Sequence, residues 1–324
     1  MRKLLFAICL GFLAVAAHGA GIRELLISAD SSGPQITARL WTPCAQPSVP
    51  MPVDSGPDRL VIRGVKDCAP TSTGLPLILI SHGMFGDVFD HYDTAELLAD
   101  AGFAVVTLNH TLDSAYSSKS ADDISSFLVR PADVRRVLDF LLSDSQGVVD
   151  IDSQRIGFFG FSRGGYTGMV LAGAVPNFHA PPFPCPEEYL MCKQIRDDDI
   201  PEHGPGYEPR IKVFVIADPV SFFPDHASLQ KITAPIQLWS SEHGGMGVRP
   251  EDVASLAKNL PNAPEFHRPA NSGHLSFLFP CSNEVAKARA FVCADPPGFD
   301  RAEFHSRLNA QVLEFFRKNL PGKL

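Results

Sequence analysis

The sequence predicts an α/β domain built on a mostly parallel, doubly wound sheet with helices on both faces. Three observations predict it. Short apolar runs alternate with helical patterns from residue 75 onward; a glycine-flanked serine, Gly160-Phe161-Ser162-Arg163-Gly164, stands at one run-to-helix joint; and 324 residues, 45% hydrophobic and 20% charged, suffice for a large core. This composition excludes a disordered, collagenous or coiled-coil chain. A formal charge of -8 offers no basic footprint for phosphates, so nucleic acid is not an expected partner.

The first twenty residues read as a secretory leader: Arg2 and Lys3 precede an apolar run over residues 4–17, and small residues follow at Ala17, Gly19 and Ala20. That run falls short of the roughly 20 residues a bilayer span needs, and no later segment is longer. The expectation is a leader over residues 1–20 and a single domain over residues 21–324, periplasmic or secreted, with no integral membrane segment. Cys9 falls in the leader. The remaining Cys44, Cys68, Cys185, Cys192, Cys281 and Cys293 are even in number, as an oxidising compartment favours. Pairing in sequence order closes the shortest loops, with buried free thiols as the alternative. No Cys or His spacing argues for zinc.

Residues 22–28 and 36–41 read as an antiparallel strand pair, and the Pro-, Gly- and Asp-rich residues 43–74 as a long surface connection. A strand over 75–81, a helix over 94–101 and a strand over 104–109 follow; the strands are too apolar to be half-exposed and read as parallel and buried. Pro131 suits the first position of a helix carrying Val134, Val137, Leu138 and Leu141. Strand 155–161, helix 163–174, strands 211–217 and 235–240 and an amphipathic helix over 302–319 complete the alternation. Over residues 175–210 the pattern fails: eight prolines, Cys185 and Cys192, and Asp197 to Asp199 indicate a loop-rich insertion, either a cap beside the site or a solvated excursion.

The chemistry gathers at the joints. A serine on a tight strand-to-helix turn is held in a strained conformation, and flanking Gly160 and Gly164 leave room for neighbouring backbone. Ser162 is therefore the candidate nucleophile, against a reading as an ordinary turn serine. A hydroxyl needs a base to take its proton. His274, in Asn271-Ser272-Gly273-His274-Leu275-Ser276-Phe277, lies in a loop that a doubly wound sheet returns to the serine, whereas His267 and His305 read as packed or surface residues. For the carboxylate that steadies the imidazole, Asp218 at the end of strand 211–217 competes with Glu242 after strand 235–240; Asp218, next to Pro219, also fits a simple turn start. Donors for a developing oxyanion are expected from the backbone N–H groups of Arg163 and of Met84 in Ser81-His82-Gly83-Met84-Phe85-Gly86. There Gly83 and Gly86 should matter more than the Met84 side chain.

These residues resemble the α/β-hydrolase superfamily, and more narrowly the platelet-activating factor acetylhydrolase and predicted dienelactone hydrolase group of esterases. The carriers, within residues 75–281, are the Ser81-His82-Gly83 turn, residues 160–165, Ala217-Asp218 followed by Phe222-Phe223-Pro224, residues 237–242, and Gly273-His274. The resemblance implies a triad in the order Ser162, Asp218, His274, and it favours Asp218 over Glu242 because the acid of the acetylhydrolases follows the earlier late strand. Dienelactone hydrolases use a cysteine nucleophile, so their substrate is not implied. Many relatives carry an aspartate just after the later strand, where this chain has Ser241-Glu242-His243-Gly244-Gly245.

The expectation is an exported serine hydrolase of carboxylic esters, acetylhydrolase-, esterase- or lipase-like, working through an acyl-enzyme with no metal or organic cofactor. Its partner would be a small-molecule ester, lipid-like if Phe222 and Phe223, with Phe178, Phe183, Leu190 and Met191, line an acyl pocket rather than core. The alternatives are a polyester hydrolase, thioesterase or peptidase with the same triad, or a non-catalytic binding protein on the same fold. The pattern specifies no oligomeric state.

Overall fold

A computed structural model describes residues 19–56, 58–117, 120–143, 147–202 and 206–322. The body of the expected leader, residues 1–18, lies outside them, while Gly19 and Ala20 already pair with Cys44 and Pro43 at the head of a strand. In chain order the elements are β1 (Gly19–Ile27), β2 (Ile36–Cys44), β3 (Val49–Ser55), β4 (Asp58–Lys66), β5 (Leu75–Ser81), α1 (Tyr92–Asp100), β6 (Ala104–Leu108), α2 (Ser125–Leu142) and β7 (Ile151–Phe161). There follow α3 (Arg163–Ala172), α4 (Leu190–Arg196), β8 (Val213–Ala217), α5 (His226–Leu229), β9 (Ile236–Trp239), α6 (Pro250–Asn259), β10 (Glu265–His267), a 3-10 turn (His274–Phe277), α7 (Asn283–Ala288) and α8 (Arg301–Asn319).

The ten strands form one sheet in the order β10-β9-β8-β7-β5-β6-β2-β1-β4-β3, parallel from β10 to β6. Alternation along the mainly apolar, buried strands explains why both faces are covered. Leu77 and Leu79 of β5 and Phe214 and Ile216 of β8 pack toward α2, α3 and α6, whereas Ile78, Ile80, Val213 and Val215 pack toward α1 and α8. The parallel register aligns Ser81 with Gly160 and Phe161 with Ala217, and Ala217 with Trp239. The carboxyl ends of β5, β7, β8 and β9 therefore form one edge, where an open α/β sheet places its ligands.

Two expectations are corrected. The segment over 43–74 is not a surface connection: β3 and β4 form an antiparallel hairpin that joins the sheet through Gly21–Val65 and Ile22–Lys66. Leu60 and Ile62 are buried and Val61 is 66% exposed, a clear two-residue period; Pro50 and Pro52 fit because β3 is an edge strand, where a missing N–H is tolerated. Pro131 does not begin its helix but lies inside α2, which starts at Ser125. An interior proline costs about 3 kcal/mol, which burial of Phe127, Val134, Val137, Leu138 and Leu141 offsets.

Residues 175–210, open to reading as a cap or a solvated excursion, are exposed over much of their length but send part of their side chains inward. Phe178, Met191 and Ile195 join the core, and α4 is tied to the head of α2 by Met191 N–H to the Asp122 carbonyl at 2.8 Å and by Ile124 N–H to Gln194 Oε1 at 3.0 Å. Helix α6, with Pro250 in its first turn, was not marked in the sequence.

Disulfides join Cys44 to Cys68, Cys185 to Cys192 and Cys281 to Cys293, the sequence-order pairing. They suit an oxidising environment. Among the described residues no helix is long and apolar enough to cross a membrane.

Candidate active site

β7 ends at Phe161 and α3 begins at Arg163, so Ser162 makes the whole turn, at φ 56° and ψ −116°. This left-handed conformation is strained for a residue with a side chain. It is held by Ser162 N–H to the Ala217 carbonyl (2.9 Å) and by Tyr166 N–H to the Ser162 carbonyl (3.0 Å). The glycines are steric requirements: a methyl group at Gly160 would overlap the Gly164 carbonyl, and one at Gly164 would overlap the Ser81 carbonyl.

His274 arrives from the loop after β10, its N–H bound to the Gly244 carbonyl at 2.9 Å. Its Nε2 lies 3.0 Å from Ser162 Oγ and its Nδ1 2.6 Å from Asp218 Oδ2. A carboxylate at Nδ1 holds the proton on that nitrogen and leaves the Nε2 lone pair to accept the serine hydroxyl. Phe161 stacks under the imidazole with ring centroids 4.7 Å apart. Asp218 is fully buried directly after β8, at φ 44°, and its oxygens accept the Ser241 N–H (2.7 Å) and hydroxyl (2.8 Å). Ser241, which sequence reasoning missed, thus aims the carboxylate. Glu242 is exposed on the outside of this loop, where Oε2 accepts the Asn271 N–H at 2.6 Å; it braces the segment carrying His274 and does not approach the imidazole.

Gly83 flanks the serine closely, since a methyl group there would sit 3.3 Å from Ser162 Cβ. A methyl at Gly86 would overlap the Asp90 carboxyl. The Met84 and Arg163 N–H groups have no hydrogen-bond partner among the described residues. Phe222 and Phe223, in contrast, are 0% and 2% exposed and line no open surface. Phe222 packs edge-on to Phe127 at 5.3 Å and beside Phe178 at 4.9 Å, and Phe223 stacks on Tyr166 at 5.6 Å, so the expected substrate-binding pair is core. A cleft of about 920 Å³ lies elsewhere: it runs past Arg39, Asp54, Phe89 and Tyr116, and neither Ser162 nor His274 lines it.

Beneath the Ser81–Gly86 turn lies a buried polar cluster that no sequence motif announced. Arg130 of α2 donates to the His82 carbonyl (2.8 Å), to the Gly83 carbonyl (3.0 Å) and, through Nε, to Asp113 (3.0 Å). Asp113 also accepts Arg163 Nη1 at 3.1 Å, and that guanidinium continues to the Ala121 carbonyl and Ser126 Oγ. Burial alone would raise the Asp113 carboxyl, but Arg130 and Arg163 pull it below its ordinary value. Burial brings Arg163 down to about 10, against the opposing pull of Asp113.

Burial, reinforced by Arg130, holds His82 and His110 well below the usual imidazole range, so both are neutral. His82 donates from Nδ1 to the Gly83 carbonyl and accepts the His110 N–H at Nε2, which fixes its tautomer. His110 Nε2 meets Ser81 Oγ at 2.8 Å and its Nδ1 meets Asp133 Oδ2 at 3.2 Å. Burial pushes the Asp133 carboxyl up to about 7, against the lowering by Thr111 hydrogen bonds.

The sheet order and the placement of the strained serine at its carboxyl edge define an α/β-hydrolase fold. No protein-family profile and no curated protein matches the chain. Among solved structures it is similar to a ferulic acid esterase from Streptomyces cinnamoneus, with TM-score 0.66 and 18% identity over 96% of this chain and 92% of that one. It is also similar to a structure described as a putative dipeptidyl aminopeptidase IV from Bacteroides ovatus ATCC 8483, with TM-score 0.54 and 14% identity over 93% of this chain but 36% of that one. At these identities the likeness is one of fold.

Proposed function

We propose that the protein is an exported serine hydrolase of carboxylic esters, with Ser162 as nucleophile, His274 as base and Asp218 as the acid that orients it. The observation that carries this reading is the continuous relay of 3.0 Å from Ser162 Oγ to His274 Nε2 and 2.6 Å from Nδ1 to Asp218, set on a strained turn. Ser162 Oγ attacks the acyl carbonyl while His274 takes its proton. The tetrahedral oxyanion is met by the N–H groups of Met84 and Arg163, and His274 returns the proton to the departing alcohol. Water then cleaves the acyl-enzyme by the same relay. Each oxyanion donor supplies about 3 to 4 kcal/mol.

Supporting export are the leader pattern at Arg2 to Ala20 and the three disulfides. Supporting ester over peptide is the likeness to a ferulic acid esterase along nearly the whole of both chains. The motif resemblance to the platelet-activating factor acetylhydrolase group points the same way, and hydroxycinnamoyl and short acyl esters are the first substrates to try. The test is a panel of acyl esters, thioesters and dipeptide amides on the purified protein, with fluorophosphonate labelling. Ester turnover is expected, with Ser162→Ala losing about 10^4-fold or more while remaining folded. Unchanged hydrolysis by Ser162→Ala would reject the assignment; a wild-type protein that neither labels nor turns over would instead be a binding protein on this fold.

A further inference from the structure

A planar trans peptide points its C=O and its N–H in opposite directions, so whatever pins one end aims the other. The peptide joining Gly83 to Met84 carries the N–H assigned above to the oxyanion, and its carbonyl is the one gripped from below by Arg130 Nη2 at 3.0 Å and by His82 Nδ1–H. The preceding carbonyl, that of His82, is held by Arg130 Nη1 at 2.8 Å. The guanidinium itself cannot swing, because its Nε is fixed by both oxygens of Asp113 at 3.1 and 3.0 Å, and the group is 1% exposed. Asp113 extends the same lock to Arg163, whose backbone N–H is the other donor. Two buried guanidinium groups share this one carboxylate, so the trio carries a net positive charge beneath the turn.

Resting on the serine-hydrolase reading, we propose that Arg130 is the positioning residue of the oxyanion site. It clamps the carbonyls of His82 and Gly83 inward, so that the Met84 N–H faces the substrate oxygen, and Asp113 couples this clamp to Arg163. The clamp also polarises the Gly83–Met84 peptide, since a cation on its oxygen strengthens the N–H as a donor. His82 serves the clamp only as a neutral ring, giving one proton to the Gly83 carbonyl and accepting one from the His110 N–H.

The experiment compares wild type, Arg130→Gln and Asp113→Asn for kcat and KM on the best ester and for inhibition by phenylboronic acid, whose adduct on Ser162 is tetrahedral and anionic. Arg136, which stands on the same helix and binds Asp30 and the Pro34 carbonyl instead, supplies the control Arg136→Gln. Arg130→Gln is expected to lower kcat about 10- to 100-fold with KM within about twofold, and to weaken the boronate by the same factor as kcat/KM. Guanidinium ion added to Arg130→Ala should restore part of kcat, and Arg136→Gln should lose stability alone. Should Arg130→Gln fail to fold, Asp113→Asn carries the same test. In wild type labelled with 15N-methionine, the Met84 amide resonance must move when the boronate binds. The proposal is overturned by a stability loss with kcat and boronate affinity intact, by a rise in KM alone, or by an unmoved Met84 signal. Failure of the underlying reading looks different: wild type would then show neither turnover nor boronate binding.

Discussion

Asp133 gives the fold a predictable pH dependence. Its carboxyl is 1% exposed and faces Thr111 N–H at 3.0 Å, the Thr111 hydroxyl at 3.1 Å and His110 Nδ1 at 3.2 Å, with Arg130 and Arg136 farther off. Burial dominates and pushes it up to about 7, whereas an aspartate in an unfolded chain titrates near 3.9. A carboxyl whose folded value is raised binds its proton more tightly in the folded state. Folding therefore loses stability as pH rises from about 4 to about 7, and the loss is complete above that window. Three pH units at about 1.4 kcal/mol each give a loss of about 4 kcal/mol. Asp133→Asn keeps the shape and cannot ionise, so it removes this dependence. Urea unfolding of both proteins from pH 4 to pH 8 checks it: the variant should gain on wild type by about 4 kcal/mol across the window and by nothing further above it. A difference that stays constant with pH, or one that shrinks as pH rises, would refute the reasoning.

Other outcomes follow from the site and core. Asp218→Asn should lower kcat by about 10^4-fold, while Glu242→Gln should leave it within about threefold; steady-state kinetics on one ester decides between the two acids. Gly164→Ala drives a methyl into the Ser81 carbonyl, so it should abolish fluorophosphonate labelling and lower the melting temperature even though a larger residue is rarely so costly elsewhere on a helix. Phe223→Ala should destabilise by about 3 to 5 kcal/mol in urea unfolding and leave the ranking of acyl esters unchanged, because the ring is buried core; a shift toward longer chains would return it to the pocket.

What could be read in the sequence was whatever local chemistry dictates. β5, β6, β8 and β9 are mainly apolar runs that only a doubly covered sheet can bury, and the Ser162 turn writes its steric needs as glycines. His274 was legible because few loops both follow the last strands and carry a histidine. The hairpin β3–β4 was hidden because edge position permits Pro50 and Pro52, which locally signal a loop. Pro131 misled for the related reason that tertiary packing can outweigh a backbone penalty. Ser241, Arg130 and Asp113 act through partners 23, 47 and 50 residues away, and no periodicity records such pairings. Phe222 and Phe223 were ambiguous because an aromatic beside a candidate site looks alike in a pocket wall and in a core.

Ser81, His110 and Asp133 repeat, atom for atom, the donor order of Ser162, His274 and Asp218: hydroxyl to Nε2 at 2.8 Å, then Nδ1 to carboxyl oxygen at 3.2 Å. Yet Ser81 is wholly enclosed within the sheet edge, whereas Ser162 keeps 6% of its surface open. One molecule thus holds a silent duplicate of its own proposed machinery, its serine on the strand next to the one that leads into Ser162. Which hydroxyl an electrophile finds is settled by the door and not by the furniture, so any acylating reagent should leave its mark on a single serine of the pair.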